Sequence, residues 1–410
     1  MIKLRKTFAG LSAQQGKWGK MMGLEGETWQ GVADLVRANA CSLTEIKSFG
    51  PNPGALRMFT YLPPDVSADC ALMVVLHGCT QSAASYDRGA GWSTLAERFG
   101  FALLLPEQQR SNNPNGCFNW FQTGDIERGH GEALSIRQMV AKMVSDHGID
   151  PARVYVTGLS AGGAMTSVML ATYPDVFAGG AIVAGLPYGA AKNVQQAFEN
   201  MFQCPPRAAR EWGDLVRRAS PHRGQWPRVS VWHGGADATV IPPNANEIVK
   251  QWTNVHGLPS KPSFQAVVDG YPRQIWVNDT GDELIESYSI PNMAHGTPLA
   301  TGEADEQCGA AGPFLLEVGI SSSYHIAKFF GLTGDRADIA SMQSRTATIA
   351  PEKPQIGRMK ELPRPKAQEG EVLGKDFVMP DRDNMPPLSP LDIGAVITKA
   401  LKAAGLMSGR

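Results

Sequence analysis

The amino-acid sequence predicts an α/β fold with a mainly parallel central sheet and helices on both of its faces. Strand-like apolar runs alternate along the chain with segments whose apolar residues recur at helical spacing. Residues 71–76 and 101–106 are apolar almost throughout, which is typical of strands that are buried on both faces. Strands that alternate with helices in this way favour a parallel sheet covered by helices.

The first half of the pattern predicts three strands and two helices. Residues 56–62 alternate apolar and polar side chains, and a pair of prolines ends the segment. Residues 71–76 form the next strand, and a helix at 92–99 precedes the strand at 101–106. A longer helix is predicted at 132–146, where the apolar residues return to one face.

The second half continues the alternation. Residues 153–157 predict a short buried strand that leads through a tight turn into a helix. Small apolar residues at 179–185 predict the following strand. The remaining predicted elements are strands at 229–234, 273–277 and 284–290 and a helix at 244–256.

The composition indicates how the chain is divided into domains and which classes of partner are excluded. The chain has 410 residues, 43% hydrophobic and 19% charged, as in a globular protein with a large core. The net charge of −1 provides no overall attraction to nucleic acid or to an anionic membrane. No apolar run reaches the length of about 18 residues that a transmembrane helix requires. We divide the chain into a basic N-terminal extension (1–50), a central domain (51–332) and a proline-rich tail (333–410).

The two ends differ from the central domain in composition. Residues 1–24 mix apolar and basic side chains without an acidic residue, which suits adhesion to a polymer or granule surface or, as we favour, a loosely packed arm. They lack the apolar core of a secretory signal, so none is expected. Residues 333–390 predict an extended or disordered segment. Ser389 and Pro390 then begin a predicted amphipathic helix, which we expect to dock on its own domain, with a second copy or a surface as alternatives.

The cysteines argue against a metal centre. Six cysteines occur at wide spacing and without a C-x-x-C pair, so neither a zinc or redox motif nor a disulfide scaffold is predicted. We expect no metal and no other cofactor. An even number permits pairing in an oxidising compartment but does not show it.

Residues 158–162 carry the most informative motif, G-x-S-x-G between a strand and a helix. Such a sharp turn strains its central residue and crowds its neighbours, so small residues are needed on both sides of Ser160. The turn would raise the Ser160 hydroxyl above the sheet at a helix N-terminus, where backbone N–H groups favour a developing negative charge. Ser160 is therefore the candidate nucleophile.

A serine nucleophile needs a base and a carboxylate that orients the base. In this class of turn they follow the serine in the order acid, then histidine. Asp237 lies in a glycine-containing turn after a predicted buried strand, and we favour it over the later acids Asp269, Asp279 and Asp282. His295 lies in an irregular loop after the last strands, and this position favours it over the other seven histidines.

The oxyanion of the reaction needs two backbone N–H donors. We expect one from Ala161, the residue after the nucleophile, and the other from Cys79 in the loop that follows the strand at 71–76. Cys79 as a nucleophile is a weaker alternative. Asn119, Trp120 and Phe121 follow a turn-rich loop, and they either line the mouth of a substrate pocket or pack beneath the loop.

Together these motifs resemble the poly(3-hydroxybutyrate) depolymerase-like esterases, α/β-hydrolases close to feruloyl and acetylxylan esterases. The resemblance covers roughly residues 50–332. It rests on the segments 76–81, 117–121, 158–163, 233–237 and 294–298.

The resemblance implies an α/β-hydrolase fold, a Ser160–His295–Asp237 triad and a disulfide between Cys79 and Cys117. Many relatives are secreted, which implies an extracellular location, with the cytoplasm as the alternative because no signal is visible. The implied activity is hydrolysis of poly(3-hydroxybutyrate)-type polyesters or their oligomers.

Two other functions remain open at this stage. One is an esterase that removes feruloyl or acetyl groups from plant polysaccharide. The other is an inactive hydrolase scaffold that binds a polymer granule, against which the complete set of three catalytic residue types argues. The expected partner is an ester substrate, which can be polymeric, and the oligomeric state is left open.

Overall fold

A ten-stranded sheet organises the part of the chain that the structure describes. The computed structural model describes residues 43–64, 66–67 and 69–334. Most of the predicted N-terminal extension, and the predicted tail with its amphipathic helix, lie outside these residues. The strand order is β1-β2-β4-β3-β5-β6-β7-β10-β9-β8, and a separate two-stranded sheet pairs β11 with β12.

The strands and helices alternate as the sequence predicts. The strands are β1 (Thr44–Ile46), β2 (Arg57–Tyr61), β3 (Leu72–Leu76), β4 (Ala102–Glu107), β5 (Val154–Leu159), β6 (Gly179–Val183), β7 (Arg228–Gly234), β8 (Phe264–Val268), β9 (Tyr271–Val277), β10 (Glu283–Ile290), β11 (Thr297–Leu299) and β12 (Leu315–Glu317). The helices of the described residues are α1 (Ala83–Ala90), α2 (Trp92–Phe99), α3 (Thr123–Ile126), α4 (Gly131–His147), α5 (Ala161–Thr172), α6 (Val194–Phe202), α7 (Ala209–Ala219), α8 (Pro243–His256) and α9 (Ser322–Phe329).

The middle of the sheet is parallel. β4, β3, β5, β6, β7 and β10 run in the same direction, so their carboxyl ends and the loops that follow lie at one edge. β2 is antiparallel to β4, and its register places Arg57 opposite Glu107 at this same edge. The carboxyl edge of a parallel sheet is where such folds place their ligands.

The core lies on both faces of the sheet. Alternate residues of β3 enter different apolar clusters: Leu72 and Leu76 belong to one cluster, and Met73 and Val75 belong to the other. This follows from the period of two in a strand, and it explains why the sequence of β3 is apolar without interruption.

Each predicted strand and helix in the described residues is present, and the mainly parallel sheet is confirmed. Several elements were not predicted, among them β1, α1, α6, α7 and β8. β1 also corrects a boundary, because Thr44–Ile46 was assigned to the N-terminal extension but pairs with β2. Three residues are too few to show a periodicity, so only the pairing reveals this edge strand. The proposed division of the chain otherwise stays a prediction.

No helix within the described residues is long and apolar enough to cross a membrane.

Candidate active site

Ser160 lies at the tight turn between β5 and α5. Its φ of 57° and ψ of −115° lie outside the regions that L-residues usually adopt, which confirms the strain that the motif predicts. Gly162 packs so closely on the end of β3 that a Cβ would overlap the carbonyl oxygen of Leu76, and a Cβ on Gly158 would overlap the backbone of Gly162. The glycines therefore allow the turn, and the turn presents Ser160 at the carboxyl edge of the sheet.

The structure brings Ser160, His295 and Asp237 into one hydrogen-bonded chain. His295 Nε2 lies 2.8 Å from Ser160 Oγ, and His295 Nδ1 lies 2.7 Å from Asp237 Oδ2. Because the carboxylate can only accept, Nδ1 carries the proton. Nε2 then accepts the hydroxyl hydrogen of Ser160, which is the tautomer that a general base needs.

Asp237 is the most deeply buried of the three hydrogen-bonded residues Ser160, His295 and Asp237. Its Oδ1 accepts hydrogen bonds from the backbone N–H groups of Thr239 and Val240, at 2.8 and 2.9 Å. Burial alone would raise the pKa of Asp237, but hydrogen bonds from His233 and His295 outweigh it and hold the pKa well below its ordinary value. The carboxylate therefore stays ionised and can stabilise a protonated His295.

His233 is a second histidine beside Asp237, and no role was predicted for it. Its Nε2 lies 2.7 Å from the carbonyl oxygen of Val240 and 3.3 Å from Asp237 Oδ2. Because a carbonyl only accepts, Nε2 carries the proton and is shared between the two oxygens. The spacing of His233 and Asp237, four residues apart at the end of a buried strand, was the available signal.

The two predicted oxyanion donors are placed at the carboxyl ends of adjacent strands. Ala161 is the first residue of α5, so its N–H points out of the helix and has no intrahelical partner. Cys79 lies in the loop after β3, which we call the oxyanion loop (residues 77–81). Within the described residues the Cys79 N–H donates to no acceptor, whereas the neighbouring Gly78 N–H donates to Gln81 Oε1 at 2.9 Å.

The oxyanion loop is anchored to the segment that follows β4. Cys79 and Cys117 form a disulfide, as the resemblance implies, which rules out Cys79 as a nucleophile in this state. The Thr80 N–H donates to the Asn115 carbonyl oxygen at 2.8 Å. His77 accepts from the Gln108 N–H through Nε2 at 3.1 Å, so its Nδ1 carries the proton and donates to the adjacent Gly78 carbonyl at 2.7 Å.

Asn119 is hydrogen-bonded within the protein, and its predicted role in substrate binding stays a prediction. It is 2% exposed, and its backbone and side-chain N–H groups both donate to the Glu132 carboxyl at 2.8 Å. Trp120 is largely buried and contacts the half-buried Phe121 edge to face. The two interpretations of these aromatic residues therefore stay open, although Phe118 packs beneath the loop against His77.

Glu132 is a buried carboxyl group, and several side chains beside the oxyanion loop donate hydrogen bonds to it. It accepts from side chains of Gln108 and Asn112 as well as from Asn119. Burial and the nearby Asp125 carboxyl raise the pKa of Glu132 to about 8, although the hydrogen bonds from Asn119 and Gln108 act in the opposite direction. Sequence reasoning missed Glu132 because a glutamate in the first turn of a helix is usually a solvated residue that favours the helix dipole.

The donor set of the site is that of acid–base and nucleophilic chemistry. Within the described residues no group of three or more His, Cys, Asp or Glu side chains could hold a metal ion. Cys70, Cys204 and Cys308 are free and buried.

A strained serine after a central parallel strand, with an acid and a histidine after later strands, defines the α/β-hydrolases. Known proteins agree with this class. A structure of the acetyl xylan esterase from Aspergillus awamori matches with a TM-score of 0.60 and 25% identity, covering 71% of this chain and 99% of that one.

Sequence relatives define the family. The family model described as esterase PHB depolymerase matches residues 56–263. Poly(3-hydroxyalkanoate) depolymerase C of Paucimonas lemoignei is 49% identical over 294 residues, which cover 72% of this chain and 71% of that protein. The acetylxylan esterase of Coprinopsis cinerea is 36% identical, covering 63% of this chain and 70% of that protein. Feruloyl esterase B of Talaromyces stipitatus is 34% identical, covering 63% and 73%. The chain belongs to the esterase PHB depolymerase family and is a carboxylic ester hydrolase.

Proposed function

We propose that this protein hydrolyses the ester bonds of poly(3-hydroxyalkanoate)-type polyesters or their oligomers through a serine-bound acyl intermediate. The hydrogen-bonded chain of Ser160, His295 and Asp237 carries the proposal for the mechanism. The 49% identity to a poly(3-hydroxyalkanoate) depolymerase supports the substrate class.

In the proposed first step, His295 Nε2 takes the hydroxyl proton while Ser160 Oγ attacks the ester carbonyl carbon. The negative charge that forms on the carbonyl oxygen is held by the N–H groups of Cys79 and Ala161. His295 then gives its proton to the leaving alcohol, and the C–O bond breaks. Asp237 stabilises the positive imidazolium between these two proton transfers.

The second half of the reaction uses the same groups with water as the nucleophile. His295 takes a proton from water, the hydroxide attacks the acyl-enzyme, and Ser160 leaves with the returned proton. The products are a carboxylic acid and a hydroxyl-bearing fragment. Each step is balanced without a metal or a redox partner.

A second candidate substrate is an acetylated or feruloylated plant polysaccharide. This candidate is supported by the relatives at 36% and 34% identity and by the similar structure of an acetyl xylan esterase. The same residues would perform the chemistry, so only the substrate separates the two proposals.

The test compares wild type and Ser160→Ala on four substrates: p-nitrophenyl butyrate, amorphous poly(3-hydroxybutyrate), methyl ferulate and acetylated xylan. We expect wild type to hydrolyse the first two best and Ser160→Ala to lose about 10⁴-fold or more in kcat. A preference for methyl ferulate or acetylated xylan would favour the second candidate. Full turnover by Ser160→Ala would refute the mechanism.

A further inference from the structure

An open cavity of about 410 Å³ lies beside the oxyanion loop. We call it the side cavity. Its wall includes Thr80 and Gln81 from the oxyanion loop and Gln109, Arg110 and Ser111 from the loop after β4. A volume of this size is within the range of known ligand sites, so it can hold part of a substrate.

The topology of the sheet places the side cavity relative to Ser160. Its lining follows the carboxyl ends of β3 and β4, whereas Ser160 follows β5. β4 lies two strands from β5, about 10 Å at the usual spacing of neighbouring strands. Asp237 and His295 follow β7 and β10, on the other side of β5. The side cavity and the strands that carry the acid and base therefore flank Ser160 on opposite sides.

This placement assigns the two halves of an ester. The leaving alcohol must lie beside His295, because His295 gives it a proton. The carbonyl oxygen points toward Cys79 and Ala161. The acyl half is then left to extend away from His295, past the oxyanion loop and toward the side cavity.

The lining has the polarity that an oxygen-rich acyl chain requires. It carries the hydroxyl groups of Thr80, Ser82, Ser85 and Ser111 and the amides of Gln81, Gln108 and Gln109, and its carboxylate, Glu107, is paired with Arg57. A chain of hydroxyacyl units presents an ester carbonyl in every unit, and each carbonyl only accepts hydrogen bonds. A feruloyl or an acetyl ester contains a single ester carbonyl, so it presents fewer such acceptors to this lining.

Two arginines line the side cavity, and they differ in their partners. Arg57 forms ion pairs with Glu45 and Glu107, at 3.0 and 2.6 Å, so its charge is compensated. Arg110 is exposed and donates to the Pro114 carbonyl oxygen at 3.2 Å, and no ion pair with a described residue engages it. Its remaining N–H groups are donors for a ligand in the side cavity.

We propose that the side cavity is an acyl-side subsite that binds the hydroxyacyl units preceding the ester bond to be cut, with Arg110 donating to an ester carbonyl. This inference rests on the proposed function and adds the direction of the chain across the site. It makes the enzyme selective for acyl groups longer than one unit.

The test measures kcat/KM for two activated esters, the p-nitrophenyl ester of a 3-hydroxybutyrate trimer and p-nitrophenyl butyrate. We expect wild type to prefer the trimer. Arg110→Ala and Ser111→Trp, the latter filling the side cavity, should each lower this preference about tenfold, mainly through a higher KM for the trimer, because a hydrogen bond to a charged donor is lost or blocked.

Arg223→Ala is the matched control. Arg223 is also exposed and also donates to a loop carbonyl, that of His222, but it precedes β7 at the opposite edge of the sheet. Its trimer preference should equal that of wild type.

Two results would overturn the subsite: a wild type without preference for the trimer, or an unchanged preference in both Arg110→Ala and a folded Ser111→Trp. A wild type that cleaves neither ester would instead refute the proposed function, and the subsite with it.

Discussion

A buried carboxyl group lies on each side of Ser160, and the pKa values of these two groups are shifted in opposite directions. Asp237, on the side of β7 and β10, faces two histidines. Glu132, on the side of the oxyanion loop, accepts hydrogen bonds from amide and backbone N–H donors and lies near the carboxyl group of Asp125. The pKa of Asp237 is held well below its ordinary value, whereas that of Glu132 is raised to about 8.

The difference lies in the partners, because both groups are buried. A histidine can take up a positive charge and so compensates a carboxylate, whereas an amide supplies only a dipole. Asp237 is therefore suited to stabilise a charge that appears on His295 during the reaction. Glu132, whose pKa is raised to about 8, is the common acceptor for N–H donors of the loop at 108–122.

The largest expected effect comes from Asp237→Asn. The asparagine amide would no longer hold His295 in the tautomer that accepts the Ser160 proton, so we expect a loss of about 10⁴-fold in kcat. Rates on p-nitrophenyl butyrate measure this, with the thermal midpoint as a check of folding. A folded variant within tenfold of wild type would contradict the role of Asp237.

Glu132→Gln tests the opposite carboxyl group through stability. With its pKa raised to about 8, Glu132 should keep its proton in the native protein to a higher pH than in the unfolded chain, where the carboxyl group titrates near 4.5. The free energy of unfolding should therefore be highest, for this group, below 4.5 and should fall by up to roughly 1.4 kcal/mol per pH unit between these values.

The measurement for Glu132 is urea unfolding at several pH values from 5 to 8. The decline with rising pH should be steeper in wild type than in Glu132→Gln, because glutamine cannot titrate. Equal slopes in the two proteins would show that Glu132 is ionised in the native state.

His233→Leu probes the second histidine at Asp237. Loss of its hydrogen bond should raise the pKa of Asp237, lower kcat/KM about tenfold and move the acidic limb of the pH–rate profile to higher pH. Among the described residues, the titratable groups that face Asp237 are His233 and His295. His233→Gln keeps a hydrogen-bond donor and should recover part of the rate. If His233→Leu loses rate without a shift of the pH–rate profile, His233 acts only in folding.

Asp269→Asn is the smallest expected effect and a control for Asp237→Asn. Asp269 also pairs with a histidine, His325, at 2.8 Å, but no serine joins this pair. Its φ of 50° is one that asparagine adopts readily. We expect less than a twofold change in kcat and at most about 1 kcal/mol in stability, since Asp269 is partly exposed. A large loss of activity would place this second pair in the catalytic machinery.

Local sequence patterns were sufficient to predict the turn at Ser160 and the buried strands. The crowding around Ser160 comes from its immediate neighbours, so the motif specifies it wherever the turn occurs. The alternating burial of β3 follows from the strand period alone. The order of residues along the chain was enough to select Asp237 and His295, and the structure brings both to Ser160.

The sequence by itself thus predicted the class of fold, the candidate chemistry and three candidate residues, because strand periodicity, a strained turn and the order of residues can be read along the chain. Only the tertiary structure showed that His233 contacts Asp237, that Asn119 donates to Glu132, and that the loops after β3 and β4 line one cavity. Burial, hydrogen-bond partners and the position of a loop at the sheet edge depend on segments far apart in the chain, and no local pattern records them.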